Sequence, residues 1–237
     1  MPGQRDLMQE PSRRLVEGAA HVPERRAVVA ALAAAGIVGP ILFTVVVVIQ
    51  GLLRPGYSPV ADPISALATG PNGWVQNLNF IVLGLLMLAQ AVGLDLGMRP
   101  ARVGMVGPAI LALAGVGAVL SGVVPLRAVA GGLTYEPVGH TVAVFMSFLG
   151  AGVGLILISR RMTGDPRWRS LGTYTLATGS AIIVLFLAIG ALASTPDAPL
   201  NRWFGLTQRL LLVVWFPCVI VLALRLLRIT RVGEALR

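Results

Sequence analysis

The chain has 237 residues, 56% of them hydrophobic and only 12% charged. Soluble domains usually carry about 25% charged residues, so this composition lacks the polar surface needed to wrap a water-soluble core. The net charge of +9 does not mark a nucleic-acid binder, because the cations sit at the ends of apolar runs, which is the pattern of membrane topology.

Residues 1–27 carry five arginines and four acids and lack the apolar stretch of a cleavable signal peptide. They read as a cytoplasmic tail, largely disordered up to Pro23. Six apolar segments follow: 28–53, 74–94, 103–124, 138–158, 171–192 and 203–227. Each meets the roughly 20 residues that a helix needs to cross about 30 Å of hydrocarbon. None alternates like a barrel strand, and backbone groups in lipid need internal partners. The expected fold is therefore all-α: a polytopic bundle over 28–228, followed by a short basic tail at 229–237.

The first connection, 54–73, is the longest ordered loop. Asp62 before Pro63 has the form of an N-cap with proline at the first helical position. Gly70-Pro71 ends the segment. A short helix over 63–68 is expected on or dipping into the interface, with Ile64 and Leu67 as its apolar side.

All 19 basic residues are arginine, which with the abundance of Ala, Gly and Val suggests a GC-rich, bacterial coding bias. Fifteen of them fall on the side of the two termini: the tail, the second and fourth loops, and the end of the last span. The other side has Arg54, Arg127, Arg202 and Arg209. The positive-inside rule then puts both termini in the cytoplasm of a bacterial inner membrane. Trp74 and Trp203 fall at outer span ends, where amphipathic rings prefer the interface.

Small residues are expected at the helix contacts. Gly150 and Gly154 form a GxxxG pair, read as close packing within the bundle, with a homo-oligomer face as the alternative. Pro40, Pro108 and Pro217 should bend their spans. Spans two and three echo spans four and five as a faint repeated hairpin, or as the ordinary grammar of membrane hairpins. Cys218, the single cysteine, reads as a small buried or lipid-facing residue. Gln50 and Gln90 are read near span ends.

The costly polar groups converge on the outer side. The candidate site is Tyr57, Asp62, Ser65, Asn77, Glu136, His140, Gln208 and Arg209, with Gln76 and Asn79 nearby. Arg209 lies inside span six and needs a partner. Asp62, Glu136 and Asp197 are candidates, and Asp62 is favoured. The cluster either pins the loop to the bundle or lines a pocket for a lipid headgroup or small polar ligand. His140 is expected to be a hydrogen-bonded cap residue. No catalytic, metal or cofactor motif is present, and no cofactor is expected.

The stretch Gly56-Tyr57-Ser58-Pro59, then Asp62-Pro63-Ile64-Ser65-Ala66-Leu67 and Gly70-Pro71-Asn72-Gly73-Trp74, resembles the DUF998 family of bacterial and archaeal membrane proteins. So does the last span, with Gly205, Gln208-Arg209, Trp215 and Arg225. The likeness covers roughly 30–228. It implies the six-helix fold and carries no activity with it. Family members often place an acidic residue before the histidine of span four. Here His140 is kept, while the aspartate usual in that proline-containing loop is replaced by Glu136 or lost, a departure that bears on any acid–histidine pair.

The resulting expectation is a membrane protein that binds lipid headgroups or a membrane partner through the outer cluster. The alternatives are a small-solute transporter and, further off, an intramembrane hydrolase built on Asp62, Ser65 and His140. The balance leans against an enzyme.

Overall fold

The computed structural model describes residues 4–99, 104–124, 127–129, 132–134, 137–192 and 199–235. Within them, six α-helices dominate: α1 Gln4–Leu53, α2 Gly73–Gly97, α3 Val106–Val123, α4 Pro137–Thr163, α5 Gly172–Leu192 and α6 Phe204–Ala235. All six are long and apolar enough to cross a membrane. The protein is an all-α, multi-pass membrane bundle. Each helix packs on the next in chain order, α6 closes the ring against α1, and α2 touches α6 across it.

Helix α1 starts at Gln4, ahead of the first apolar segment. Gln, Arg, Leu, Met and Ala dominate the stretch before that segment and are good helix formers. Helices α4 and α6 also outrun their expected ends, by continuing past the apolar stretch into arginines. One short hairpin lies in the α3–α4 connection. There β1 Arg127–Val129 pairs antiparallel with β2 Gly132–Thr134. It sits between spans, where a two-stranded ribbon's free edges do not face hydrocarbon.

Without water to expel from between helices, close packing must hold the bundle, and glycine allows the approach. The two hairpins of the faint repeat each cross at one reciprocal pair. A Cβ on Gly84 would lie 2.5 Å from Gly115 O, and one on Gly179 would lie 2.6 Å from Gly152 O. Gly150 and Gly154 face α3 of the same chain, with a Gly154 Cβ only 2.6 Å from Leu111 N. That surface is filled within the bundle.

Gln90 is not near a span end in space. It is buried, donates to Val219 O at 2.7 Å and occupies the space left by Gly36, tying α1, α2 and α6 together. Cys218, next to Val219 on α6, is buried. An aromatic row, Phe43–Phe216–Trp215–Phe148–Phe186, links α1, α6, α4 and α5 with centroids 5.2–5.9 Å apart.

The arginine-rich end is an ion-pair lock that charge counting alone does not reveal. Arg161 pairs with Asp95 at 2.6 Å and donates to the carbonyls of Asp95, Met98, Arg99 and Gly104. It thereby satisfies the carbonyls of Asp95 and the cap residue Met98 at the C-terminal end of α2. Asp165 is buried and accepts from Arg167 Nη2 at 2.6 Å and from Arg99 N at 3.1 Å. Arg225 Nε donates to Arg167 O at 2.7 Å, which ties in α6.

Arg161→Ala should strand Asp95 and several carbonyls, costing about 3–5 kcal/mol, as measured by reversible unfolding in mixed micelles. The Arg167 guanidinium holds the Asp165 carboxyl down at about 2, below its ordinary 3.8. A depressed acid stabilises above its unfolded value and loses that contribution as pH falls through its folded value. The lock should therefore hold at pH 4 and above and weaken toward pH 2. Asp165→Asn should flatten that acid limb.

Candidate functional site

The α1–α2 loop turns at Gly56 and Gly70, whose φ angles of +75° and +79° lie in the left-handed region that side chains rarely adopt. Between them the chain makes a five-residue 3-10 helix, Ile64–Ala68, with every residue buried. The expected helix is therefore present. It dips fully into the bundle, instead of resting with only Ile64 and Leu67 inward.

Both ends of this loop helix borrow partners. Ile64 N donates to Gln208 Oε1 of α6 at 2.7 Å. At the other end Arg54 donates to Ala66 O, Thr69 O and Thr69 Oγ1 at 2.5–2.9 Å. The expected Asp62 cap does not form. The cap position falls on Pro63, and the Asp62 carboxylate instead turns back to accept from Ser58 N at 2.7 Å.

The loop in turn caps α6. Gly205 N and Leu206 N donate to Ala61 O and Val60 O at 3.2 and 3.0 Å, which satisfies two of the orphan donors of that helix. The approach requires glycine: a Cβ at 205 would lie 2.3 Å from Asp62 O.

Arg209 does not pair with the Asp62 carboxylate. Its Nη1 donates to Pro59 O at 2.7 Å, Gly205 O at 2.9 Å and Asp62 O at 3.3 Å, and its Nη2 to Tyr57 Oη at 2.6 Å. The guanidinium carbon lies 5.8 Å from the Tyr57 ring centre. The loop carbonyls outcompete the acid because they converge on α6, while Ser58 already engages the acid. Burial pushes the Tyr57 phenol up, against the opposing hydrogen bond and charge of Arg209. All the acceptors of Arg209 are neutral, and among the described residues its charge meets no carboxylate. Glu136 and Asp197, its other candidate partners, lie outside the described residues.

The eight candidate residues thus separate. Tyr57, Asp62 and Arg209 form the clamp between loop and α6. Ser65, His140 and Gln208 line an inner chamber of about 50 Å³ beneath the loop helix, with Ser121, Ser147 and Trp215. Asn77 joins neither group, and its Oδ1 is buried without a partner among the described residues. His140, in the first turn of α4, sets Nδ1 3.4 Å from Val124 O at the end of α3, a bridge between helix ends. Gln50, Gln76 and Asn79 make a separate amide knot between α1 and α2.

Asp62, Ser65 and His140 form no hydrogen-bonded chain among the described residues. Nor do three or more His, Cys, Asp or Glu cluster there. Below the chamber the next buried amide, Gln90, is committed to Val219 O.

A larger groove of about 500 Å³ opens on the outside of the bundle between α1 and α6. Pro40, Thr44 and Val48 form one wall, and Val213, Pro217 and Ile220 the other. Ile64 and Arg209 stand at its loop end, and Arg209 is its only charged lining residue. The sequence signal for it was the pair of mid-span prolines, which bend helices and here stand on facing walls.

Fold and site together define a six-span α-helical membrane protein whose first loop is a buried helix clamped by the last span. The chain matches the family described as a protein of unknown function, DUF998, over residues 37–225, and belongs to it. No curated protein and no solved structure matches the chain. The matched segment spans the clamp, the chamber, the groove and Arg225.

Tyr57→Phe should remove one acceptor of a charged donor, worth about 1–2 kcal/mol. The expected result is faster proteolysis of the loop and a lower thermal midpoint, with helix content unchanged by circular dichroism.

Proposed function

We propose that this chain holds one anionic membrane lipid, with an acyl chain in the α1–α6 groove and the headgroup against Arg209. The observation that carries the reading is an apolar groove of about 500 Å³ with a single cation at one end. That volume falls in the usual range of small-molecule sites, about 300–1,000 Å³. An arginine close to hydrocarbon is a functional candidate by default, and guanidinium groups favour phosphate and carboxylate. Arg209 keeps its Nε and one Nη2 hydrogen without a protein partner among the described residues. Arg54, flanking the same loop helix, also spends its charge on neutral acceptors.

The excess of arginines at the terminal side supports an orientation with both termini in the cytoplasm. The lipid would then belong to the outer leaflet of a plasma membrane. On this reading the protein is a lipid-binding or accessory component.

The test is lipid quantification and native mass spectrometry after mild extraction. One anionic phospholipid should be retained per chain. Val213 and Val48 line the groove and are more than half exposed, so Val213→Trp and Val48→Trp fill it without disturbing the core. Each should weaken retention about tenfold, equivalent to about 1.4 kcal/mol. Undiminished recovery from both variants would sink the proposal.

A further inference from the structure

The chamber beneath the loop helix calls for a different occupant from the groove. The two voids share Phe43, Ile64 and Leu212 as a partition. We infer that the chamber is a binding site for a small uncharged molecule that both donates and accepts hydrogen bonds. His140, Ser65 and Gln208 hold it, and the loop helix is its lid.

Size sets the first limit. A cavity must offer about 10–15 Å³ on this measure to hold one water, and about 150 Å³ accommodates benzene. The chamber, at about 50 Å³, admits a few waters or a guest of a few heavy atoms.

Polarity sets the second. Cavities that stay empty are apolar, whereas this mostly apolar wall is interrupted by Ser65, Ser121, His140, Ser147 and Gln208, and by the indole of Trp215, whose Nε1 is buried without a partner among the described residues. Ser121 and Ser147 donate to carbonyls of their own helices and keep only acceptor capacity. Ser65, His140 and Gln208 have capacity to spare. His140 is only 5% exposed and engages Nδ1 with Val124 O, while its Nε2 has no partner among the described residues. With Nδ1 as the donor, Nε2 is an acceptor. Gln208 commits Oε1 to Ile64 N, and its amide hydrogens have no partner among the described residues. The Ser65 hydroxyl, 4% exposed, has none either. Buried polar atoms with unspent capacity are costly and are normally satisfied by protein or water.

Charge sets the third. No ionised side chain lines the chamber, so a bare ion would lose its hydration with no countercharge in return. The lid belongs to the same site. Ser65 lies on the loop helix, and Gln208 holds that helix's first amide, so a guest touching both would rest against the element that covers it.

The test uses the His21→Ala chain in lipid nanodiscs, with isotope-labelled histidine, so that His140 is the one imidazole observed by NMR. Water magnetisation should reach the His140 ring. Methanol and formamide should shift its nitrogen signals saturably, while ammonium and formate at equal concentration and pH should not. Ser65→Leu fills the chamber from the lid and Val144→Phe fills it from α4. Either substitution should abolish both the water transfer and the shifts. A ring that stays dry and unmoved by the neutral probes would overturn the inference, as would an equal response to the charged ones or a response that survives both fillings. Lipid retention in the same samples reads the groove separately.

Discussion

Peptide groups at helix ends need partners, and inside a bilayer the protein itself must supply them. The contact between the first loop and α6 meets that constraint twice over. Loop carbonyls cap α6 at Gly205 and Leu206, while Gln208 of α6 caps the loop helix. Arg209 gathers the remaining carbonyls of the turn. Neither element is complete alone, so the 3-10 segment can be buried only where α6 stands beside it. The chamber, the groove and the clamp all exist because that segment is held inside the bundle.

The two ends of the molecule use different chemistry for similar tasks. At the loop end, arginines meet carbonyls, a hydroxyl and an aromatic face, so their positive charge stays available. At the other end, Arg161 and Arg167 meet Asp95 and Asp165, and the charges cancel in a structural lock. This difference is why the loop end is the place to look for an anionic ligand. Between the ends, glycine contacts bring α2, α3, α4 and α5 together tightly, whereas α1 and α6 leave a groove lined by Pro40 and Pro217.

Much of the candidate site could be read from the chain, but its pairing could not. Tyr57, Asp62, Ser65, His140, Gln208 and Arg209 are costly to leave in an apolar protein, so composition alone picks them out. A loop helix lying over the bundle suggested an Asp62–Arg209 ion pair. The folded loop instead turns the acid toward Ser58 and offers Arg209 a ring of carbonyls. Backbone acceptors carry no residue signature, so a reading based on side chains overlooks them. Ser121 and Ser147 were overlooked as lining residues for a related reason. Their i−4 hydrogen bonds look like local helix chemistry until α3 and α4 are laid side by side.

Apolar run length and the rows of arginines were enough to determine six spans and an all-α bundle, because hydrocarbon thickness acts on each segment separately. The dip of the first loop was foreshadowed by Asp62-Pro63 and Gly70-Pro71. Three features were decided only in three dimensions: the depth of that dip, the division of one polar cluster into a clamp and a chamber, and the groove between α1 and α6. Each depends on which faces of α1, α4 and α6 meet across more than a hundred residues of chain, and local pattern does not encode that distance.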